Sequence, residues 1–183
     1  MQMRFNEVKA TQLAALLLQL RGTGRMKYLK LLKLMYLVDR EALARWGRPI
    51  STDRHVSMDK GPVLSRVYNL LMEEQCEPGF WSAHIAPATD HDVQLIAHPG
   101  TEELSRAEEE LGAEIFGQHG HKNCWKLVDE VHDLPEWQDP HGNMIPIALR
   151  DILKAVGKSQ GDIAAIEQEL ESDAFAEFLL KPI

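Results

Sequence analysis

Between Met26 and Gly47 the chain reads MKYLKLLKLMYLVDREALARWG, and this stretch constrains the fold more than any other. At about 100° per residue, Lys27, Lys30, Lys33, Arg40, Glu41 and Arg45 share one polar sector. Tyr28, Leu29, Leu31, Leu32, Met35, Tyr36, Val38, Leu43 and Trp46 fill a sector wider than the stripe of an ordinary surface helix. The pattern predicts a central helix touched by neighbours on several sides. Asp39 projects into the middle of the apolar sector. A carboxylate buried there costs several kcal/mol without a partner, so the fold must supply one.

The segment that follows is the natural source. Gly47, Pro49, Ser51, Thr52 and Asp53 make a loop, HVSMD (55 to 59) alternates as a short strand, and Gly61-Pro62 is expected to open a helix with Pro62 in its first turn. Arg54, His55, Lys60 and the free N–H groups of that helix are the candidate partners of Asp39. Elsewhere, helices are expected from Asn6, a cap residue, to Arg21, from Thr101, from 122 to 134, from 145 to 157 and from Ser159 to about Leu180. FWSAHIA (80 to 86) and DVQLIA (92 to 97) read as a hairpin that could join HVSMD in one small antiparallel sheet. The expected class is therefore mainly α (α+β): a compact helical domain around a central buried helix.

With 183 residues, 44% of them hydrophobic, the chain is long enough for one domain over 1–183, with a core over about 5–155 and an acidic helix over about 159–180. No apolar run reaches the length of a membrane span and no signal-peptide pattern opens the chain, which predicts a cytoplasmic protein with no membrane partner. Cys76 and Cys124 lie far apart in no metal or redox spacing and are read as reduced thiols. Charge is uneven. Residues 1 to 33 hold seven Lys or Arg against Glu7 alone, a local +6, so on a chain of −8 the remainder carries −14. A basic N-terminal helical hairpin could grip phosphate, which makes a nucleic-acid-binding regulator the alternative function. Overall acidity and the lack of a recognition-helix signature count against it.

Catalytic and metal chemistry find little support. His119-Gly120-His121 with Cys124 offers three nearby ligands without the paired spacing of zinc sites. His132-Asp133 precedes Pro135 at a helix end, where a cation is favoured without any catalytic reason. Nucleophile-elbow and glycine-rich phosphate motifs are absent from the sequence. No cofactor, no metal and no enzymatic activity are expected, and Asp39 reads as an internal strut.

Three pieces taken together, KLLKLMYLVDREALARWGRPIS (30 to 51), MDKGPVLSRVYNLL (58 to 71) and LPEW (134 to 137), resemble the Panacea domain family, the SocA-like antitoxins of bacteria and phages. The resemblance runs from the central helix to about residue 155. It marks Tyr36, Asp39, Gly47, Gly61, Pro62, Val63, Tyr68 and Trp137 as structural positions. It implies a mainly helical antitoxin that binds and neutralises a cognate toxin protein, and in some members delivers that toxin to the ClpXP protease. On this reading the contact surface is the loop, with Arg48, Asp53, Arg54, His55 and Lys60 as its residues. Trp46, Lys60 and Leu64 depart from residues frequent in the family, and they lie where partner choice would be set. The sequence names neither the toxin nor the oligomeric state.

Overall fold

A computed structural model describes residues 3–72 and 79–180. Asn6 caps α1 (Glu7–Leu20) by accepting from the Lys9 N–H at 3.0 Å. Strand β1 (Arg25–Lys27) then leads directly into α2 (Tyr28–Trp46), which ends at Gly47 in the left-handed conformation. Next come the hairpin β2 (His55–Met58) and β3 (Gly61–Leu64), and α3 (Ser65–Met72). A five-residue helix α4 (Phe80–His84) precedes β4 (Ile85–Thr89) and β5 (Asp92–Leu95). The chain continues through α5 (Arg106–His119), α6 (Cys124–His132), β6 (Ile145–Pro146), α7 (Leu149–Ala155) and α8 (Gln160–Leu179). The fold is mainly α with some antiparallel β.

Helix α2 is central, as its pattern predicts. It packs against α1, α5, α6, α7 and β3, and its buried residues belong to one contiguous apolar cluster reaching from Ala10 to Ile163. Enclosure of its N-terminal half, residues 29 to 36, also corrects the reading of its polar sector. Lys30 and Lys33 are buried. Lys30 Nζ donates to the carbonyls of Gly120 and Lys122 (2.7 Å for the latter), and Lys33 Nζ donates to the Pro62 carbonyl at 2.9 Å.

The expected single sheet is two separate ones, ordered β1-β5-β4 and β3-β2-β6. FWSAH forms α4, seated on α1 by the fully buried Trp81, whose backbone N–H donates to Glu7 Oε1 at 2.9 Å. Pro62 opens no helix: it lies in β3 opposite Ser57. The two-residue Asp59-Lys60 loop closes the hairpin at the Met58–Gly61 pair, so alternation leaves Pro62 at a pair without ladder bonds. An edge strand tolerates proline there, and the Pro62 carbonyl turns away from β2 toward Lys33. Gly61 has φ +90°, and a Cβ on it would meet Val131 at 2.5 Å, so both backbone and packing require glycine.

Two helix starts also move. Residues 101 to 104 form a turn, and the acidic helix begins after Ser105, whose side chain and that of Glu108 cap each other's N–H groups reciprocally. Ile145-Pro146 pairs with β2, and the helix expected from 145 begins only at Leu149. Cys76 and the expected continuation of α3 past residue 72 lie outside the described residues. Among the described residues, no helix is long and apolar enough to cross a membrane.

Candidate functional site

One turn of α2 presents Tyr36, Asp39 and Arg40, and each fastens a different piece of chain. The Asp39 carboxylate, fully buried, takes the N–H groups of Ile50 and Ser51, both at 3.0 Å, on one oxygen and the Ser51 hydroxyl on the other. His55 Nε2 lies 3.4 Å from the second oxygen without hydrogen-bond alignment. The loop is thus the partner that the sequence demands. His55 is the one side chain of the expected set at ion-pair distance; Arg54 and Lys60 are exposed and turned elsewhere. The N–H groups of α3 go to Asp53 instead.

Asp53 receives Arg66 N–H at 2.9 Å and Val67 N–H at 3.0 Å, capping α3 from twelve or more residues away in sequence, and its own N–H donates to Ser51 Oγ at 3.1 Å. Burial pushes its carboxyl above the usual carboxylate range, a shift that these backbone donors oppose. Asp53→Ala removes the cap and is expected to cost about 1–2 kcal/mol. A urea midpoint equal to that of the unaltered chain would remove Asp53 from the brace.

On the other flank, Glu136 of the LPEW segment is buried. It accepts from Tyr36 Oη at 2.9 Å and Arg40 Nε at 2.7 Å. Burial and the adjacent Glu136 carboxylate push the Tyr36 phenol up, so it remains a donor. Trp137 Nε1 donates to the Met58 carbonyl at 3.1 Å while its ring stacks on His132 at 4.2 Å. His132 Nε2 in turn stands 3.1 Å from the Asp59 carbonyl, a packing role that absorbs the expected His132-Asp133 end. Tyr36 and His55 meet edge to face at 5.8 Å, which joins the two flanks. Val63 is fully in the core, and Tyr68 packs against it half-buried. Gly47, at φ +71°, lies under Ile166 of α8, so a side chain there would press into that helix.

Ser51, His55 and Asp39 have the residue types of a hydrolytic triad but not its wiring. The Ser51 hydroxyl donates to Asp39 and not to His55, and it is fully buried, so no substrate reaches it. The expected contact residues divide in the same way. Arg48, Arg54 and Lys60 are exposed, Arg48 at 2.6 Å from Asp173 of α8 and Lys60 over the Trp125 ring. Asp53 and His55 are buried and turned inward, so bracing replaces the expected surface contact for these two side chains. Beside the loop, and lined by it at Arg54, a groove of about 850 Å³ opens toward Pro146, Leu149, Arg150, Glu167 and Leu170.

The histidine-rich segment does not converge. Among the described residues no three His, Cys, Asp or Glu side chains group as metal ligands, and His119 Nδ1 is held at 3.0 Å by Lys122 and 3.3 Å from Glu130. The basic N-terminal sector is largely engaged as well: besides Lys30 and Lys33, Arg25 and Lys27 pair with Asp92 at 3.1 and 3.0 Å. Three brace residues, Lys33, Ser51 and Glu136, are not singled out by their sequence context. Neither a helical wheel nor a loop composition distinguishes them from solvated residues.

The family model described as antitoxin SocA-like, Panacea domain, matches residues 31–138. That span begins in α2 and closes just after the LPEW segment, so it contains both ends of the brace and stops short of α7. No curated protein and no solved structure matches the chain.

Proposed function

The chain belongs to the SocA-like antitoxin family through its Panacea domain, and from that premise we propose that it neutralises a cognate toxin by direct protein–protein binding, with no catalytic step. The observation that carries this reading is the inward use of the polar motif residues. Asp39, Ser51, Tyr36 and Glu136 are spent on one another and on backbone donors, which leaves the exposed face of the loop as what the domain can offer a partner. Arg48, Arg54 and Lys60 stand on a rigidly held loop beside an open groove. A preorganised charged surface favours fast and selective association with an acidic patch.

Co-expression with the protein encoded next to this chain is expected to restore growth, and the two proteins are expected to co-purify. Arg54→Glu, at an exposed position with no fold duty, is expected to weaken co-purification about tenfold or more while leaving the urea midpoint unchanged. A neighbouring protein that is harmless alone and fails to co-purify would overturn the proposal. The finer branch, delivery to ClpXP, predicts that the toxin's half-life shortens on co-expression and recovers in cells lacking ClpX. An unchanged half-life leaves neutralisation by binding alone.

A further inference from the structure

A second recess, of about 700 Å³, lies between the end of α1, β1, β5 and the start of α6. Its walls hold Arg21, Arg25, Lys27, Lys30 and Lys122 against a single acid, Asp92. On a chain of net charge −8, this is a local concentration of cations, four from residues 21 to 30 and the fifth, Lys122, brought to them by the fold. Asp92 answers two of them, Arg25 and Lys27, and Glu130 answers Lys122 at 2.8 Å. Two remain without a carboxylate among the described residues. Arg21 is exposed, and no ion pair or side-chain hydrogen bond engages it. Lys30 is 8% exposed and is steadied only by two neutral carbonyls.

Arg21 and Lys30 line the same recess; desolvation first and the nearby Arg21 guanidinium second push the Lys30 ammonium below its ordinary range. Holding like charges together in this way is unfavourable for the isolated protein and is relieved by an anion between them. The same recess is floored by the first residues of α6, Asn123 and Cys124. Asn123 caps only the Lys126 N–H with its side chain, leaving first-turn amides and the positive end of a nine-residue helix facing this side.

The geometry points to a binding site, at this recess, for a small anion bearing two or more phosphate groups, with Arg21 and Lys30 as its charged ligands. A single monovalent anion would leave most of the positive charge unanswered, whereas a diphosphate matches it. The recess also has room for a nucleoside attached to the phosphates. This site is independent of toxin binding and lies apart from the Arg54 face, so each is tested without the other.

Calorimetric titration of the full chain at low ionic strength, with inorganic pyrophosphate and separately with ATP, is expected to give saturable binding at one equivalent. Raising the salt should weaken it. Arg21→Gln removes an exposed guanidinium and should lower pyrophosphate affinity about tenfold; Lys154→Gln, an exposed lysine on α7 outside the recess, should leave it within about twofold. Pyrophosphate binding without ATP binding identifies the inorganic anion as the ligand type, and binding of both identifies a nucleotide-compatible site. Absence of saturable binding, equal weakening by both substitutions, or binding of a single-stranded oligonucleotide with neither small ligand would each overturn the inference.

Discussion

Asp39→Ala is expected to remove a large share of the stability of the fold, about 3–5 kcal/mol. The substitution leaves three donors, the N–H groups of Ile50 and Ser51 and the Ser51 hydroxyl, buried with nothing to accept them. It also removes the carboxylate that lies 3.4 Å from His55 Nε2. Domains of this size have only about 5–15 kcal/mol in total, so the variant is expected to be partly unfolded at 37 °C. Asp39→Asn keeps one acceptor oxygen for the two backbone donors but opposes an NH2 group to the Ser51 hydroxyl, and its loss should be intermediate. Urea unfolding followed by circular dichroism measures both. An Asp39→Ala midpoint corresponding to less than about 1 kcal/mol of loss would show that the loop is held by something other than this carboxylate.

Lys33 makes the second large effect, and its signature is in pH. Burial first, and the charge of Lys60 second, lower its ammonium from an ordinary 10.5 to about 7. Between those values the unfolded chain carries a proton that the folded chain has released. Stability therefore rises with pH through that window, by up to about 1.4 kcal/mol per pH unit, and is flat below about 7, where both states are protonated. From pH 7 to pH 9 the gain attributable to Lys33 is about 2 kcal/mol. Lys33→Met should abolish this component, while its loss of the bond to Pro62 costs about 1 kcal/mol at high pH. Below pH 7 the variant should equal or exceed the unaltered protein, because the methionine carries no charge to desolvate. Parallel stability curves for the two proteins from pH 6 to pH 9 would place the Lys33 ammonium in contact with water.

Both predictions rest on features of very different legibility. Asp39 is visible in the sequence because a charge in the centre of an apolar sector has no other reading, and the demand for a nearby partner follows from the cost of burial. The partner's identity is hidden. Ile50 and Ser51 act through backbone N–H groups, which every loop residue but proline possesses, so nothing in the letters separates them from Arg54 or Lys60. Lys33 fails for the opposite reason. A wheel assigns it to the solvent side, but α2 has no solvent side at that turn because β3 and α6 cover it. Pro62 reads equally well as a helix start or an edge-strand residue; the two-residue loop before Gly61 decides for the strand. Thr101 and Ser105 both look like caps, and the reciprocal bond with Glu108 selects the second. The resemblance carried by LMYLVDRE, GPV and LPEW is legible because those segments are the brace itself. Bracing explains why such residues occur together, separated by a hundred positions between Tyr36 and Glu136.

Because residues 50, 51 and 53 are fastened from within, the side chains of Arg48, Arg54 and Lys60 have almost no architectural duty. Arg54 can be exchanged without touching the bonds that hold residues 50 to 53, and the Arg48–Asp173 contact is a solvent-exposed pair of the kind worth little. Mutation can therefore rewrite the outward face of the loop at a pace that the interior does not limit, and a chain of this design keeps its shape while that face changes.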